Sequence, residues 1–377
     1  MTVSNQGKGY VRILCAILFA VFSILYLYFY QADLMALTQH VCSAGQTSYN
    51  RTIGAILITF ILMLLQFGVK RFFQKSDALY ALSYAPSLLL LTALTSIRES
   101  AGGFSFGVWG YVLPVLLLLF AVFMLVMRKI SYDTRSMHKY DVPTLVLSNS
   151  ATFLVMFLLT CLFGNSSTRL HKQLEAERFI SVADYDGAIA AIRSYDRPDS
   201  AMCTLAIYAL SQKGELADKL FTFPLTGGQD VMLPAATTLR LLPYGRIYNY
   251  VGVLTKQTMP ASKYLDYLLR HNLGNKPFAD YYLCSLLLSK QIDKFVSYIG
   301  HFYNINGPLP THYREALLLY THLRSNPKII FKNNIMEADF QDFQTLESKP
   351  GNATERRNQL KDVYGNTYWF YYFYNKQ

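Results

Sequence analysis

Two side chains in this 377-residue chain have the spacing of a helix-borne metal pair. His312 and Glu315, in the run His312–Tyr313–Arg314–Glu315, stand three residues apart on one helical face. His322 lies about 80° round the same helix, so no third ligand of that helix converges on them. An ion pair or a packed histidine accounts for the same residues, and His301, just before the turn Asn306–Gly307, adds no ligand. Asp33 and Glu99 carry a different chemistry. Each follows a long apolar stretch, where membrane glycosyltransferases acting on lipid-linked sugars place carboxylates to hold a metal or activate an acceptor. Ordinary solvated loop charges explain the same two residues.

The remaining candidates are weaker. Five cysteines are too few and too scattered for a zinc site or a disulfide framework. Cys15 and Cys161 lie in apolar stretches and Cys42 in a connecting loop. Cys203 and Cys284 fall in helical patterns and read as two separate buried thiols, although a pairing between them stays open. Gly227–Gly228 stands alone as a turn, and neither a phosphate loop nor a G-x-S-x-G elbow occurs. No catalytic residue, metal ligand or cofactor site is assigned, and the chain is expected to be no enzyme.

The elements that carry these residues fall into two halves. Residues 1–164 hold 11 Lys/Arg and 5 Asp/Glu; residues 165–377 hold 24 and 19. The net charge of +11 is therefore spread thinly, and with 52% apolar and 16% charged residues the chain is neither disordered nor a nucleic-acid binder. Within the first half, residues 13–30, 53–69, 78–97, 107–127 and 142–163 contain no Asp, Glu, Lys or Arg. About 20 helical residues cross a hydrocarbon core of roughly 30 Å, so five transmembrane helices are expected. Pro86 and Pro114 should kink spans three and four. Tyr26, Tyr28, Phe29 and Tyr30 should form an interfacial belt closing an uncleaved signal-anchor. Ser148, Asn149, Ser150 and Thr152 in the fifth span should bond a neighbouring helix.

Loop charge orients the spans. Lys8, Arg12, Lys70, Arg71, Lys75, Arg128, Lys129, Arg135 and Lys139 fall on one side; only Arg51 and Arg98 fall on the other. By the positive-inside rule the amino terminus is cytoplasmic and residues 165–377 lie across the membrane.

The second half has helical patterning. Leu170, Leu174 and Phe179, interleaved with Arg169, Lys172, Glu175, Glu177 and Arg178, predict an amphipathic helix with those charges in solvent. A second helix follows, capped by Asp184 or Asp186. A helix over 205–210, the turn Ser211–Gln212–Lys213–Gly214 and another helix repeat the pattern, with Tyr185 and Leu216 equivalent 31 residues apart. Further pairs are expected over 244–255 with 261–271 and over 278–289 with 291–298, then a helix over 311–323. Such spacing fits a tetratricopeptide-like solenoid; a compact bundle is the alternative. Residues 325–363 are polar, with Lys349–Pro350–Gly351–Asn352 as a loop. The segment 364–374 ends in seven consecutive aromatics, Tyr368, Trp369, Phe370, Tyr371, Tyr372, Phe373 and Tyr374. They must be buried as a closing cap, inserted at the membrane interface or docked on a partner.

At Lys213–Gly214–Glu215–Leu216–Ala217–Asp218, at His312–Tyr313–Arg314–Glu315–Ala316–Leu317 and at Tyr364–Gly365–Asn366–Thr367–Tyr368–Trp369 the chain resembles an uncharacterised family of multi-pass membrane proteins of Gram-negative bacteria. The resemblance covers mainly the second half and implies an inner-membrane location with a periplasmic, tetratricopeptide-like helical domain. It implies no activity and no site residue. The reading is an all-α protein, membrane domain 1–164 and extracytoplasmic domain 165–377, acting as a scaffold or adaptor. Its expected partners are the lipid bilayer and a protein or peptide, with no nucleic acid. The alternative is a component or enzyme of lipid-linked glycan or envelope metabolism using Asp33 and Glu99.

Overall fold

The computed structural model describes residues 5–73, 79–100, 103–133, 141–235, 238–257, 259–349 and 352–375. It divides into two compact units, Met1–Thr168 and Arg169–Gln377. Apart from one antiparallel hairpin, β1 (Arg98–Ser100) and β2 (Gly103–Ser105), the described residues form only helices and connections.

The first unit contains α1 (Asn5–Leu25), continued by a π-turn over Tyr26–Tyr30, then α2 (Ala32–Cys42), α3 (Arg51–Phe73), α4 (Ala85–Thr95), α5 (Trp109–Asp133) and α6 (Val142–Phe163). Four segments are long and apolar enough to cross a membrane: Gly9–Tyr30, Arg51–Arg71, Trp109–Met127 and Val142–Phe163. The stretch expected as a third span forms a 3₁₀ segment, Tyr80–Tyr84, followed by the 11-residue α4. Pro86 sits in the first turn of α4, where its missing N–H costs nothing, so it starts this helix rather than kinking it. Pro114 lies inside the unbroken α5.

Side-chain bonds tie the irregular stretch before α4, and the first turn of α4, to the neighbouring helices. Asn149 of α6 accepts from the Ala81 N–H at 2.6 Å, and Gln66 of α3 donates to the Ser83 hydroxyl at 2.9 Å. Ser87 donates to the Leu62 carbonyl at 2.8 Å. Of the four polar residues flagged in α6, Asn149 makes the inter-helix bond, whereas Thr152 bonds the Ser148 carbonyl of its own helix. At the other end of α4, Tyr26 is buried and its hydroxyl lies 3.3 Å from that of Thr95. Gln31 donates to the Tyr26 hydroxyl and to the Asn165 carbonyl, each at 3.1 Å. Tyr26 is thus an interior residue rather than part of an aromatic belt; Phe29, 75% exposed, faces outward.

The second unit begins with α7 (Thr168–Ser181), α8 (Tyr185–Arg193), α9 (Ser200–Gln212), α10 (Leu216–Lys219), α11 (Tyr244–Val251) and α12 (Ala261–His271). It continues with α13 (Phe278–Leu288), α14 (Ile292–Phe302), α15 (Thr311–Leu323), α16 (Asn334–Ser348), α17 (Ala353–Tyr364) and α18 (Tyr368–Tyr374). One turn geometry recurs. After α7, α9 and α13 a residue with φ near +60° (Ala183, Gly214, Lys290) reverses the chain. The next N–H then bonds back across the helix end: Asp184 to Phe179, Glu215 to Leu210 and Gln291 to Leu286, each at 2.9 Å. The following helix starts one residue later each time. Asp184 caps α8 by accepting from the Gly187 N–H, while Asp186 pairs with Lys213.

Ala201–Ser211 of α9 are buried without a break, and α13 is sealed except at Ala279 and Asp280. These two helices form the centre of the unit, around which the others pack. Residues 325–363, polar by composition, supply α16 and α17. Asn333 and Asn352 cap their first turns, and Phe340, Phe343 and Leu360 pack inward. Of the expected loop at 349–352, Pro350 and Gly351 lie outside the described residues, as do Lys75, Ala78, Arg135 and Lys139 among the membrane-half positions.

Candidate functional site

The aromatic segment forms α18, capped by the Thr367 hydroxyl, which accepts from the Phe370 N–H at 3.2 Å. Tyr368, Trp369 and Tyr371 face inward and are buried; Phe370, Tyr372 and Tyr374 are half-buried, and Phe373 is 40% exposed. Three polar bonds fix the inward face. The Tyr368 N–H donates to the Glu315 carboxylate at 2.7 Å, the Trp369 indole to the Glu315 carbonyl at 2.9 Å, and the Tyr371 hydroxyl to the Leu288 carbonyl at 2.8 Å. The Trp369 ring lies 5.0 Å from Phe340, and Phe221 lies 5.1 Å from Tyr368 and 4.7 Å from Tyr371.

The same carboxylate joins the pair singled out by spacing. His312 and Glu315 are both buried, with Nδ1 and Oε2 2.9 Å apart. His312 Nε2 lies 3.4 Å from the Phe221 N–H. That donor requires an acceptor, so Nε2 accepts and Nδ1–H donates to Glu315. Both imidazole nitrogens are engaged, one with the 3₁₀ turn Leu220–Thr222 that follows α10 and the other, through Glu315, with α18. His322 points elsewhere and meets Glu337 at 2.7 Å; His301 is exposed beside Tyr298. Among the described residues no group of three His, Cys, Asp or Glu side chains has the arrangement of a metal site.

Cys203 and Cys284 are free, buried thiols. Cys203 faces Pro224 and Thr226, and Cys284 lies 3.7 Å from the Tyr313 hydroxyl. Burial pushes both thiols up, which keeps them protonated and unreactive. Two acidic residues that carry no sequence signal organise the unit. Asp280 accepts from the hydroxyls of Tyr303 at 2.6 Å and Tyr313 at 2.8 Å. Glu177, expected in solvent on α7, is wholly buried and accepts from the Arg240, Leu241 and Leu242 N–H groups and the Gln173 amide.

The tyrosine-rich interior has a pH signature. Burial raises Tyr264 and Tyr371 to about 12, and Tyr281, Tyr313 and Tyr368 well above their ordinary value. Tyrosines in the unfolded chain titrate near about 10. The stabilisation from keeping these phenols neutral is whole below that pH and is lost as pH rises toward 12 and beyond. The last part of the tyrosinate absorbance should therefore appear together with loss of helical signal; complete ionisation of all 29 tyrosines with helicity intact would contradict this.

In the first unit Asp33 lies in the first turn of α2 and pairs with Arg51 at 2.6 Å. Glu99 lies on β1 opposite Phe104, and its side chain lies outside the described residues.

Four helices long and apolar enough to span a bilayer in the first unit, and a second unit built of helices around α9 and α13, give the class of a helical membrane protein. The chain belongs to a family of unknown function (DUF6057), whose profile matches residues 96–258 and 255–375. No curated protein and no solved structure matches it.

Proposed function

We propose that the protein is a non-catalytic scaffold or adaptor of the bacterial inner membrane, whose helical unit binds a protein or peptide in the periplasm. The observation that carries this reading is the recurring turn after α7, α9 and α13, which is what a tetratricopeptide-like stack of helical hairpins requires. Asp33, the residue a lipid-linked glycan enzyme would use, is engaged by Arg51 instead of standing ready as a base.

The orientation rests on five crossings, with Tyr80–Thr95 as the third. Its 16 residues span roughly 26 Å, a little short of the hydrocarbon core. Tyr80 lies 5.8 Å from Arg12 and 5.2 Å from Lys70, whereas Thr95 lies beside Tyr26 and Thr160. The segment therefore runs between the level where α1 starts and α3 ends and the level where α1 and α6 end. Irregular backbone at depth is tolerated where protein covers it and supplies the partners, as Asn149 and Ser83 do here. With five crossings the Lys/Arg asymmetry is nine to two. Without the third crossing Arg98 would join Lys8, Arg12, Lys70, Arg71 and Lys75 against five others, and the asymmetry would vanish.

Mild crosslinking of intact cells followed by purification of the full chain should recover a stoichiometric partner attached to residues 165–377. Recovery of none across several growth states argues against a scaffold. An alkaline phosphatase fused to the carboxyl terminus should be active; a well-expressed inactive fusion would reverse the orientation.

A further inference from the structure

A groove of about 570 Å³ runs between α4, α5 and α6. Ala85 and Leu89 form its floor, Val112 and Leu116 one wall and Leu159 the other, with Trp109 at the end where α5 begins. The hydroxyls that reach it, on Thr92 and Thr160, donate to the Leu88 and Met156 carbonyls of their own helices at 2.7 and 3.0 Å. Among the described residues no charged side chain lines it. Water therefore gains nothing there, and helices of bilayer length on either side make the surrounding medium hydrocarbon.

Two kinds of hydrocarbon-phase occupant compete for such a space. Interfaces between transmembrane helices are enriched in small residues that let backbones approach, whereas Ala85 is the one glycine, alanine or serine in the described lining and α5 presents branched residues, including Val112 and Leu116, to the groove. An unbranched chain threads between branched side chains without that close approach. Trp109 to Leu116 covers about 10 Å of helix, within the roughly 15 Å depth of one leaflet. Trp109 also opens the apolar span Trp109–Met127, the end at which interfacial indoles are enriched.

We propose that this groove is a discrete site for one acyl chain of a bilayer phospholipid, entered from the leaflet on the Trp109 side. Because the described lining is apolar, the site reads the chain rather than the headgroup.

The test uses the full chain in nanodiscs of phosphatidylethanolamine and phosphatidylglycerol doped with phosphatidylglycerol carrying a diazirine in one acyl chain. Photolabelling should concentrate on Val112, Leu116 and Leu89 at least about five-fold over Leu118 on the outer face of α5, and unlabelled lipid of either headgroup should compete equally. Ala85→Leu and Val112→Trp, which fill the groove, should lower groove labelling to the Leu118 level, whereas Leu118→Trp should leave it unchanged. Uniform labelling along α5, or competition by one headgroup alone, would overturn the proposal. So would groove protection by a second copy, seen as a dimer in native mass spectrometry. The wild-type labelling map decides the matter even if a filling variant fails to insert.

Discussion

Trp369→Ala is expected to open the helical unit, lowering its stability by about 3–5 kcal/mol. The indole fills space against Phe340 and Phe343, and its N–H is the partner of the Glu315 carbonyl. Truncation leaves a cavity between α15, α16 and α18 and takes away the second donor to the Glu315 carbonyl, which keeps its partner within α15, so the transfer and cavity losses dominate. Trp369→Phe keeps most of the ring packing and loses the N–H bond, for a cost of about 1 kcal/mol. Cys284 provides the readout. It is wholly buried, so a maleimide reaches it only when the unit opens. The alanine variant should be labelled at Cys284 about 10²–10⁴-fold faster, and the phenylalanine variant by less than about ten-fold. Equal labelling rates would show that α18 is dispensable for the closed state.

Glu177→Ala should be of similar size for a different reason. Its carboxylate takes three successive backbone donors, from Arg240 at 2.8 Å, Leu241, and Leu242 at 2.9 Å, and the Gln173 amide at 2.8 Å. Gln173 also reaches the Thr238 carbonyl at 2.9 Å. Burial pushes the carboxyl up while the N–H donors pull against it, the usual balance for a carboxylate replacing water in a backbone nest. Removing it orphans donors whose desolvation is not recovered, a cost of about 3–5 kcal/mol. Glu177→Gln keeps one acceptor oxygen but turns an NH₂ toward the same amides, and should lose about half as much. The chain has two tryptophans. In a Trp109→Phe background Trp369 reports on the helical unit alone, and its fluorescence midpoint should fall by about 10 °C in the alanine variant. An unchanged midpoint would mean that residues 238–242 are held by other contacts.

Several elements are legible in the sequence because local chemistry bounds them. α6 and α15 begin and end where expected, between Asp141 and Gly164 and after Pro310. The αL turns at Ala183, Gly214 and Lys290 separate the segments whose first residues share apolar character. The asparagine caps of α16 and α17, with Phe340 and Phe343 three apart, carry the same kind of signal inside a stretch that composition marks only as polar. What the sequence hides is set by partners far along the chain. Ala78–Ile97 reads as one apolar run, yet its regular helix begins only at Ala85, after a stretch in which Asn149 takes the Ala81 N–H and Gln66 the Ser83 hydroxyl, and no local pattern announces these partners. Glu177 has the neighbours of a solvent-facing helix residue, and its burial depends on backbone more than 60 residues downstream. The spacing of His312 and Glu315 marks them as neighbours, but their closure around α18 depends on Tyr368, 53 residues beyond Glu315.

Asn149 follows Ala81 by 68 residues. While the chain is being synthesised, the stretch before α4 therefore leaves the ribosome with an amide whose acceptor is not made until the chain has entered α6. The translocon must shelter this weak segment, or release it to one side and recapture it, until α6 arrives. Ribosome-stalled intermediates ending before residue 149 should accordingly expose the Tyr80–Tyr84 stretch to aqueous modifying reagents, whereas those extending past residue 163 should protect it.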